Sequence, residues 1–112
     1  MTDRQTARIR ELNDTLRTQG PSHLGRWVTT PGLLGMGKIF ATAAFDAVRT
    51  FDQFTEDNDP HGEHDFGLFT IDGTKLMWKI DYYDPTLIYG SENPADPEVT
   101  RRVLTVFLAS EY

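Results

Sequence analysis

The fold is decided by residues 64–83, which read HDFGLFTIDGTKLMWKIDYY. Asp72-Gly73 separates two runs that are rich in apolar and β-branched residues. A type I′ turn requires positive φ at both of its central residues, and Asp-Gly is one of the pairs that tolerate this geometry. The stretch therefore predicts an antiparallel hairpin with strands at residues 64–71 and 74–83.

A two-residue turn at Asp72-Gly73 fixes which residues of the hairpin lie opposite each other. Ile71 then lies opposite Thr74, and Asp65 lies opposite Ile80. Because side chains alternate along a strand, one face of the hairpin is predicted to face the core. This face carries Gly67, Phe69, Ile71, Leu76, Trp78, Ile80 and Tyr82. The other face is amphipathic and carries His64, Phe66, Leu68, Thr70, Lys75, Met77, Lys79, Asp81 and Tyr83.

Further elements are predicted on both sides of the hairpin in the chain. Helical spacing of apolar residues indicates a first helix that ends before Gly20 and a main core helix over residues 38–54. Residues 24–30 are rich in β-branched and aromatic residues and predict a strand. Asp96-Pro97-Glu98 is typical of a helix start, so a final helix is predicted to about Ser110; its β-branched residues leave a strand as the alternative. The order α-β-α-β-β-α predicts an α+β fold with a small antiparallel sheet and helices mainly on one face. The length favours a single domain over residues 1–112.

The composition excludes several classes of site. The 112 residues include no cysteine, which excludes disulfides, thiolate zinc sites and a cysteine nucleophile. No apolar stretch is long enough to cross a bilayer and the first residues are polar, so we expect a cytoplasmic protein. Residues 1–50 hold seven Lys/Arg against four Asp/Glu, whereas residues 51–112 hold four against thirteen. Because nucleic-acid binding requires a basic face, we expect no nucleic-acid partner.

Two acidic loops are predicted to leave the open end of the hairpin. Residues 52–65 hold six acidic residues, residues 81–98 hold five, and neither segment contains Lys or Arg. The strand register places His64 beside Asp81 and Lys79 beside Phe66. This end is therefore predicted to carry a negative field and to form the candidate site. The candidate residues are Asp57, Asp59, His61, Glu63, His64, Lys79, Asp81, Tyr83 and Asp84.

A divalent metal ion is one candidate occupant of this end. Residues 57–62, DNDPHG, resemble the first half of a calcium-binding loop, but Leu68 stands where the closing glutamate belongs. A transition-metal site would use Asp59, His61, His64 and Asp81 as mixed nitrogen and oxygen ligands. The same residue types serve turns by bonding to backbone amides, and this structural role is the more common one.

General acid–base catalysis and protein recognition are the other two interpretations. A His64–Asp81 pair would hold one imidazole tautomer, and Lys79 or Tyr83 could polarise a substrate. The sequence has no complete catalytic motif, and an acidic end with aromatic residues is typical of a surface that meets a basic partner. We therefore predict a non-enzymatic interaction or regulatory protein that needs no cofactor and binds a protein partner, with homodimerisation left open. A metal-dependent or His-Asp enzyme of unknown reaction is the alternative.

Several motifs resemble a family of small bacterial proteins, DUF3768. They are FDQF at residues 51–54, EDNDPHGEHDFG at residues 56–67, WKIDYYDP at residues 78–85, and VLT with EY at residues 103–105 and 111–112. Residues 9–14, IRELND, resemble the opening of the family, and residues 22–48 match its pattern least. The resemblance implies no activity and assigns no functional residue. Family members often occur among plasmid and other mobile-element genes, which implies by association a regulatory or counter-defence role.

Overall fold

One four-stranded sheet and three helices make up residues 3–112, the part of the chain that the computed structural model describes. In chain order the elements are α1 (Asp3–Gln19), β1 (Gly25–Thr29), α2 (Pro31–Leu34), α3 (Lys38–Arg49), β2 (Phe66–Ile71), β3 (Thr74–Tyr83), β4 (Arg101–Leu108) and a 3-10 turn (Ala109–Glu111). The strand order in the sheet is β1-β4-β3-β2. β1 runs parallel to β4 and the other pairs are antiparallel, so the predicted α+β class is confirmed.

The hairpin of β2 and β3 has the predicted register. Ile71 pairs with Thr74 and Gly67 pairs with Trp78. The turn residues Asp72 and Gly73 have φ of 49° and 79°, which is the backbone geometry of a type I′ turn. Local turn chemistry therefore determines this part of the sheet.

The predicted final helix is wrong, because residues 101–108 form strand β4. The Asp96 side chain accepts a hydrogen bond from Glu98 N at 2.9 Å, which closes a short turn instead of starting a helix. Beyond this turn the chain enters the middle of the sheet, where β4 pairs with both β1 and β3. Alternate residues Arg102, Leu104 and Val106 are buried, as strand geometry requires. The sheet is mostly antiparallel, as predicted, and the parallel β1–β4 pair makes it mixed.

The helices α1 and α3 cover one face of the sheet, as predicted. The core contains Leu16 from α1 and Val48 from α3, packed with Leu76, Trp78, Ile80, Leu104 and Val106 of the sheet. Helix α3 ends at Arg49, before the predicted residue 54. Phe51 and Phe54 follow the helix and still pack edge-on against Trp78, with ring centroids 5.6 and 6.2 Å away. No helix within residues 3–112 is long and apolar enough to span a membrane.

We call the second face of the sheet the open face. By register it carries Arg26, Val28, Phe66, Leu68, Thr70, Lys75, Met77, Lys79, Asp81, Tyr83, Arg101, Val103, Thr105 and Phe107. Met77 and Phe107 are buried on this face, and the Tyr112 ring lies 6.0 Å from the Phe107 ring. The residues after β4 therefore cover part of the open face.

Candidate functional site

His64 and Asp81 do not form the predicted pair. The Nδ1 atom of His64 lies 2.9 Å from a carboxylate oxygen of Asp14 in α1, and its Nε2 lies 3.6 Å from Asp59. Asp81 instead forms an ion pair of 3.2 Å with Lys79 on the open face. The β2–β3 ladder begins after His64, whose φ of 55° turns the backbone out of strand geometry. The alternation of side chains that predicted the pair therefore does not extend to this residue.

The His64 ring is held on three sides. It stacks on Phe54 with a centroid distance of 3.7 Å and an interplanar angle of 5°. Asp59 also accepts a hydrogen bond from the His64 backbone N–H at 3.1 Å, and Asp14 continues to Arg17 through an ion pair of 3.2 Å. Both ring nitrogens therefore face carboxylates of the protein itself. This arrangement is typical of a side chain that holds a loop against a helix.

A second network ties both acidic loops to α1. The buried amide of Asn13 donates to the Tyr82 hydroxyl at 2.8 Å and to the Glu63 carbonyl at 3.0 Å, and its oxygen accepts from Arg102 Nε at 2.6 Å. Tyr82 donates to the Glu63 carboxylate at 3.0 Å, and Arg102 Nη2 donates to the Pro94 carbonyl at 2.6 Å. Sequence reasoning missed Asn13 and Arg102. Two signals in the sequence could have found them: Asn13 is a polar residue within the apolar stripe of α1, and Arg102 is a charged residue beside the apolar run of β4.

Burial within this region changes three pKa values. Desolvation raises the pKa of Tyr82 above its ordinary range and lowers the pKa of Arg102 to about 10. Desolvation also raises the pKa of Asp65, and the neighbouring Glu63 carboxylate raises it further. Each change favours the neutral form of the group. The inner part of this end therefore resists ionisation, which is typical of a packed region.

The four predicted metal ligands are not brought together. Asp59 and His64 are neighbours, whereas Asp81 is paired on the open face. Within residues 3–112, no group of three or more histidine and acidic side chains is arranged to hold a metal ion. The predicted site is thus divided. Glu63 and His64 bond to residues of α1, and Asp59 contacts His64. Lys79, Asp81 and Tyr83 lie on the open face, whereas Asp57 and His61 are exposed on the loop.

Asp84, the last predicted site residue, builds an ordered loop. One of its carboxylate oxygens accepts hydrogen bonds from the Thr86 hydroxyl at 2.7 Å and from the backbone N–H groups of Thr86, Ile88 and Tyr89 at 3.1 to 3.5 Å. These bonds lower the pKa of the Asp84 carboxyl, the Thr86 hydroxyl contributing most. The Asp84 N–H also donates to the Tyr89 carbonyl at 2.8 Å. The Asp84 side chain and these backbone bonds together hold residues 84–89 in place.

This loop presents three large apolar side chains to solvent. Leu87, Ile88 and Tyr89, which we call the apolar tip, are 36%, 69% and 71% exposed. Leu87 has a φ of 63°, a left-handed conformation that is unfavourable for leucine. Beside the tip lies a shallow cavity of about 400 Å³ whose wall includes Tyr89, Asp84 and Glu92. The end of the hairpin thus combines exposed apolar anchors with acidic neighbours.

The fold and this end define a small protein with one mixed sheet and an ordered apolar tip among acidic loops. A family model described as Protein of unknown function (DUF3768) matches residues 29–111. The chain therefore belongs to this family, and the resemblance read from the sequence is confirmed. No curated protein and no solved structure matches the chain significantly.

Proposed function

We propose that this protein is a non-enzymatic interaction protein and that it binds a protein partner through the apolar tip and the acidic residues around it. The observation that carries the proposal is the exposure of Leu87, Ile88 and Tyr89 on a loop that Asp84 holds in place. Burying an exposed aliphatic or aromatic side chain contributes about 1.5–3 kcal/mol. A fixed loop loses little conformational entropy on binding, so more of this contribution remains as affinity.

The acidic residues on the Tyr89 side of the tip favour a basic partner. Asp84 and Glu92 line the cavity beside Tyr89, and the loop that precedes β2 leaves the same end of the hairpin with exposed Glu56 and Asp57. Protein interfaces commonly place apolar or aromatic anchors inside a charged rim, and the rim increases the association rate with a partner of opposite sign. A regulatory role would be exercised through such a contact. The cytoplasmic location expected from the sequence stays a prediction.

The surroundings of His64 favour binding over acid–base chemistry. A general base needs a ring nitrogen within hydrogen-bond reach of the proton that it removes. Here Nδ1 is bonded to Asp14, Nε2 faces Asp59, and the ring plane is covered by Phe54. These contacts support a structural role for the His64 side chain. The enzyme alternative would therefore require other residues than those first assigned to it.

The experiment compares affinity capture by three forms of the tagged protein from lysate of its host. The wild type is compared with the double variant Ile88→Ser/Tyr89→Ser and with Ile39→Ser, a control that removes an even more exposed apolar side chain from α3. We expect a partner that the wild type and the Ile39→Ser control enrich equally. Loss of two interface anchors should weaken its enrichment by tenfold or more, since about 1.4 kcal/mol corresponds to tenfold in affinity.

A charge variant tests the second part of the proposal. Glu92→Lys should weaken capture of the same partner, and added salt should reduce the difference between Glu92→Lys and the wild type. Equal enrichment by the wild type and by the double variant would contradict the proposal, as would the absence of any partner specific to the wild type. Circular dichroism spectra of all variants confirm that the fold is retained.

A further inference from the structure

A cationic cavity lies beside the apolar tip, at the end of the sheet where β1 and β4 begin. Because these strands are parallel, their first residues meet at one end, and Arg26 of β1 comes near Arg101 and Arg102 of β4. The cavity has a volume of about 290 Å³, and His23 also lines it. His23, Arg26 and Arg101 thus lie around one small space in a protein whose net charge is −6, and Arg102, whose side chain is fully buried, adjoins it.

The three arginines lack carboxylate partners. Within residues 3–112, no carboxylate oxygen lies within 4.0 Å of Arg26, Arg101 or Arg102, although carboxylates pair with basic side chains elsewhere in the protein. Arg101 Nη1 donates to the carbonyls of Pro97 and Thr100 at 3.1 and 2.9 Å, which holds this side chain in place. Grouped and partly immobilised guanidinium groups without a counter-charge are a common feature of anion sites.

Arg102 provides an independent sign of missing compensation. The side chain is fully buried, and its Nη1 atom has no hydrogen-bond partner in the protein. Burial disfavours the charged guanidinium and lowers its pKa, and the neighbouring Tyr82 and Glu63 offset this only in part. The Arg102 side chain lies on the core face of the sheet, bonded to Asn13 and placed over the Tyr82 ring, so it adds positive charge near the cavity without contacting a bound anion.

We propose that this cavity binds the phosphate group of a small molecule. A doubly charged phosphate oxyanion balances more of the arginine charge than a carboxylate does, and its oxygens match the paired donors of guanidinium groups. Pro85 and Leu87 add an apolar wall that suits the carbon part of a phosphate monoester. The volume is near the lower limit for small-molecule sites, which favours a compact ligand. The cavity shares Leu87 with the apolar tip, but the phosphate proposal does not depend on protein binding.

The test is a titration followed by NMR amide and arginine Nε–H resonances. The probes are inorganic phosphate, glycerol 3-phosphate and acetate, each at constant ionic strength. NMR is preferable to thermal shift because phosphate stabilises many proteins without binding to a site. We expect saturable shifts with phosphate, tighter binding of glycerol 3-phosphate, and no saturation with acetate. The shifted resonances should be those of residues 22–26, 85–87 and 101–102.

Three variants give the matched controls. Arg26→Gln and Arg101→Gln should each weaken phosphate binding by about tenfold or more, whereas Arg4→Gln, which removes an exposed arginine of α1, should leave binding unchanged. Arg26 is exposed, so its replacement keeps the test valid if Arg101→Gln does not fold. Linear shifts without saturation, unchanged affinity in Arg26→Gln, or equal saturation by acetate would each overturn the proposal. Tighter binding of glycerol 3-phosphate than of inorganic phosphate would support a phosphate monoester as the ligand. Equal binding of the two would overturn the part of the proposal that concerns the apolar wall.

Discussion

Replacing His64 by alanine should destabilise the fold, although the sequence placed this residue in the candidate site. The substitution removes the hydrogen bond to Asp14 and the stacked contact with Phe54. It also leaves the Asp59 side chain, which is 6% exposed, without its neighbouring ring. The residues that precede β2 would then lose one of their connections to α1.

The magnitude follows from these contacts. A hydrogen bond to a charged group contributes about 1.5–3 kcal/mol, and a ring stack about 0.5–1.5 kcal/mol. Asp14 is 37% exposed, so solvent screens its interaction and the lower end of the first range applies. Because the two contributions share one side chain and are not additive, we expect His64→Ala to lower the free energy of unfolding by about 2 kcal/mol.

The assay is urea unfolding at neutral pH, followed by the fluorescence of Trp27 and the buried Trp78. His61→Ala is the matched control, because His61 is exposed on the same loop and its replacement should change stability by less than about 0.5 kcal/mol. A double-mutant cycle of His64→Ala with Asp14→Ala separates the hydrogen bond from the stacking contact. Equal stability of the His64 and His61 variants would refute the reasoning and would return His64 to the list of surface residues.

Three further predictions concern residues near the same end of the sheet. Gly67→Ala should cost about 1–3 kcal/mol, because a Cβ atom would lie closer than 3.0 Å to the buried Trp78 ring; urea unfolding measures it. Asp65→Asn should stabilise the protein at pH 7, because the raised folded-state pKa makes ionised Asp65 unfavourable in the fold. This effect disappears below the ordinary aspartate pKa of 3.8, so urea unfolding should show the gain in stability at pH 7 and not at pH 3. Asp84→Ala should accelerate amide hydrogen exchange at Thr86, Ile88 and Tyr89, since it removes their shared acceptor.

Each of these predictions has an internal control. Thr70 is exposed on the same strand as Gly67, so Thr70→Ala should leave the free energy of unfolding nearly unchanged. Equal stability of the Thr70 and Gly67 variants would show that Gly67 does not pack as described. Asp57→Asn replaces an exposed carboxylate, so its effect on stability should depend little on pH. A gain in stability equal to that of Asp65→Asn would argue against burial as the cause. For Asp84→Ala, amides in β3 should keep their protection. Unchanged exchange in the loop would show that Asp84 does not fix it.

The hairpin and α1 were predictable because their determinants are local. Asp72-Gly73 sets the turn, and the alternation on either side of it correctly placed Leu76, Trp78 and Ile80 in the core. The strand predicted at residues 24–30 is present at Gly25–Thr29. In each case neighbouring residues carry the information, either through turn geometry or through the period of the apolar pattern.

Strand β4 was mispredicted because its determinants are distant in sequence. Its buried residue Arg102 interrupts the apolar alternation, and Phe107 is buried on the opposite face from Leu104 and Val106. The mixed pattern resembles a helix period, and Asp96-Pro97 adds a helix-start signal. Pairing with β1 overrides both, but β1 lies too far along the chain for a local pattern to show it.

The candidate site was predicted in composition and not in geometry. The two acidic loops do leave one end of the hairpin, yet the contacts of His64 and Arg102 span 50 and 89 residues of sequence. No spacing rule joins residues at such separations. The cationic cavity was missed for the same reason, since Arg26 and Arg101 become neighbours only when β1 and β4 pair.

The central position of β4 also determines when the sheet can form during synthesis. Thr29 of β1 bonds to Val106, which lies 77 residues later in the chain. At about 5–20 residues per second, a ribosome needs roughly 4–15 s to make this interval. During that time nascent β1 lacks the neighbour that satisfies its backbone groups, and β3 lacks the same neighbour from the moment it is made. Nascent chains that do not yet include β4 are therefore the species most exposed to aggregation and to chaperone binding.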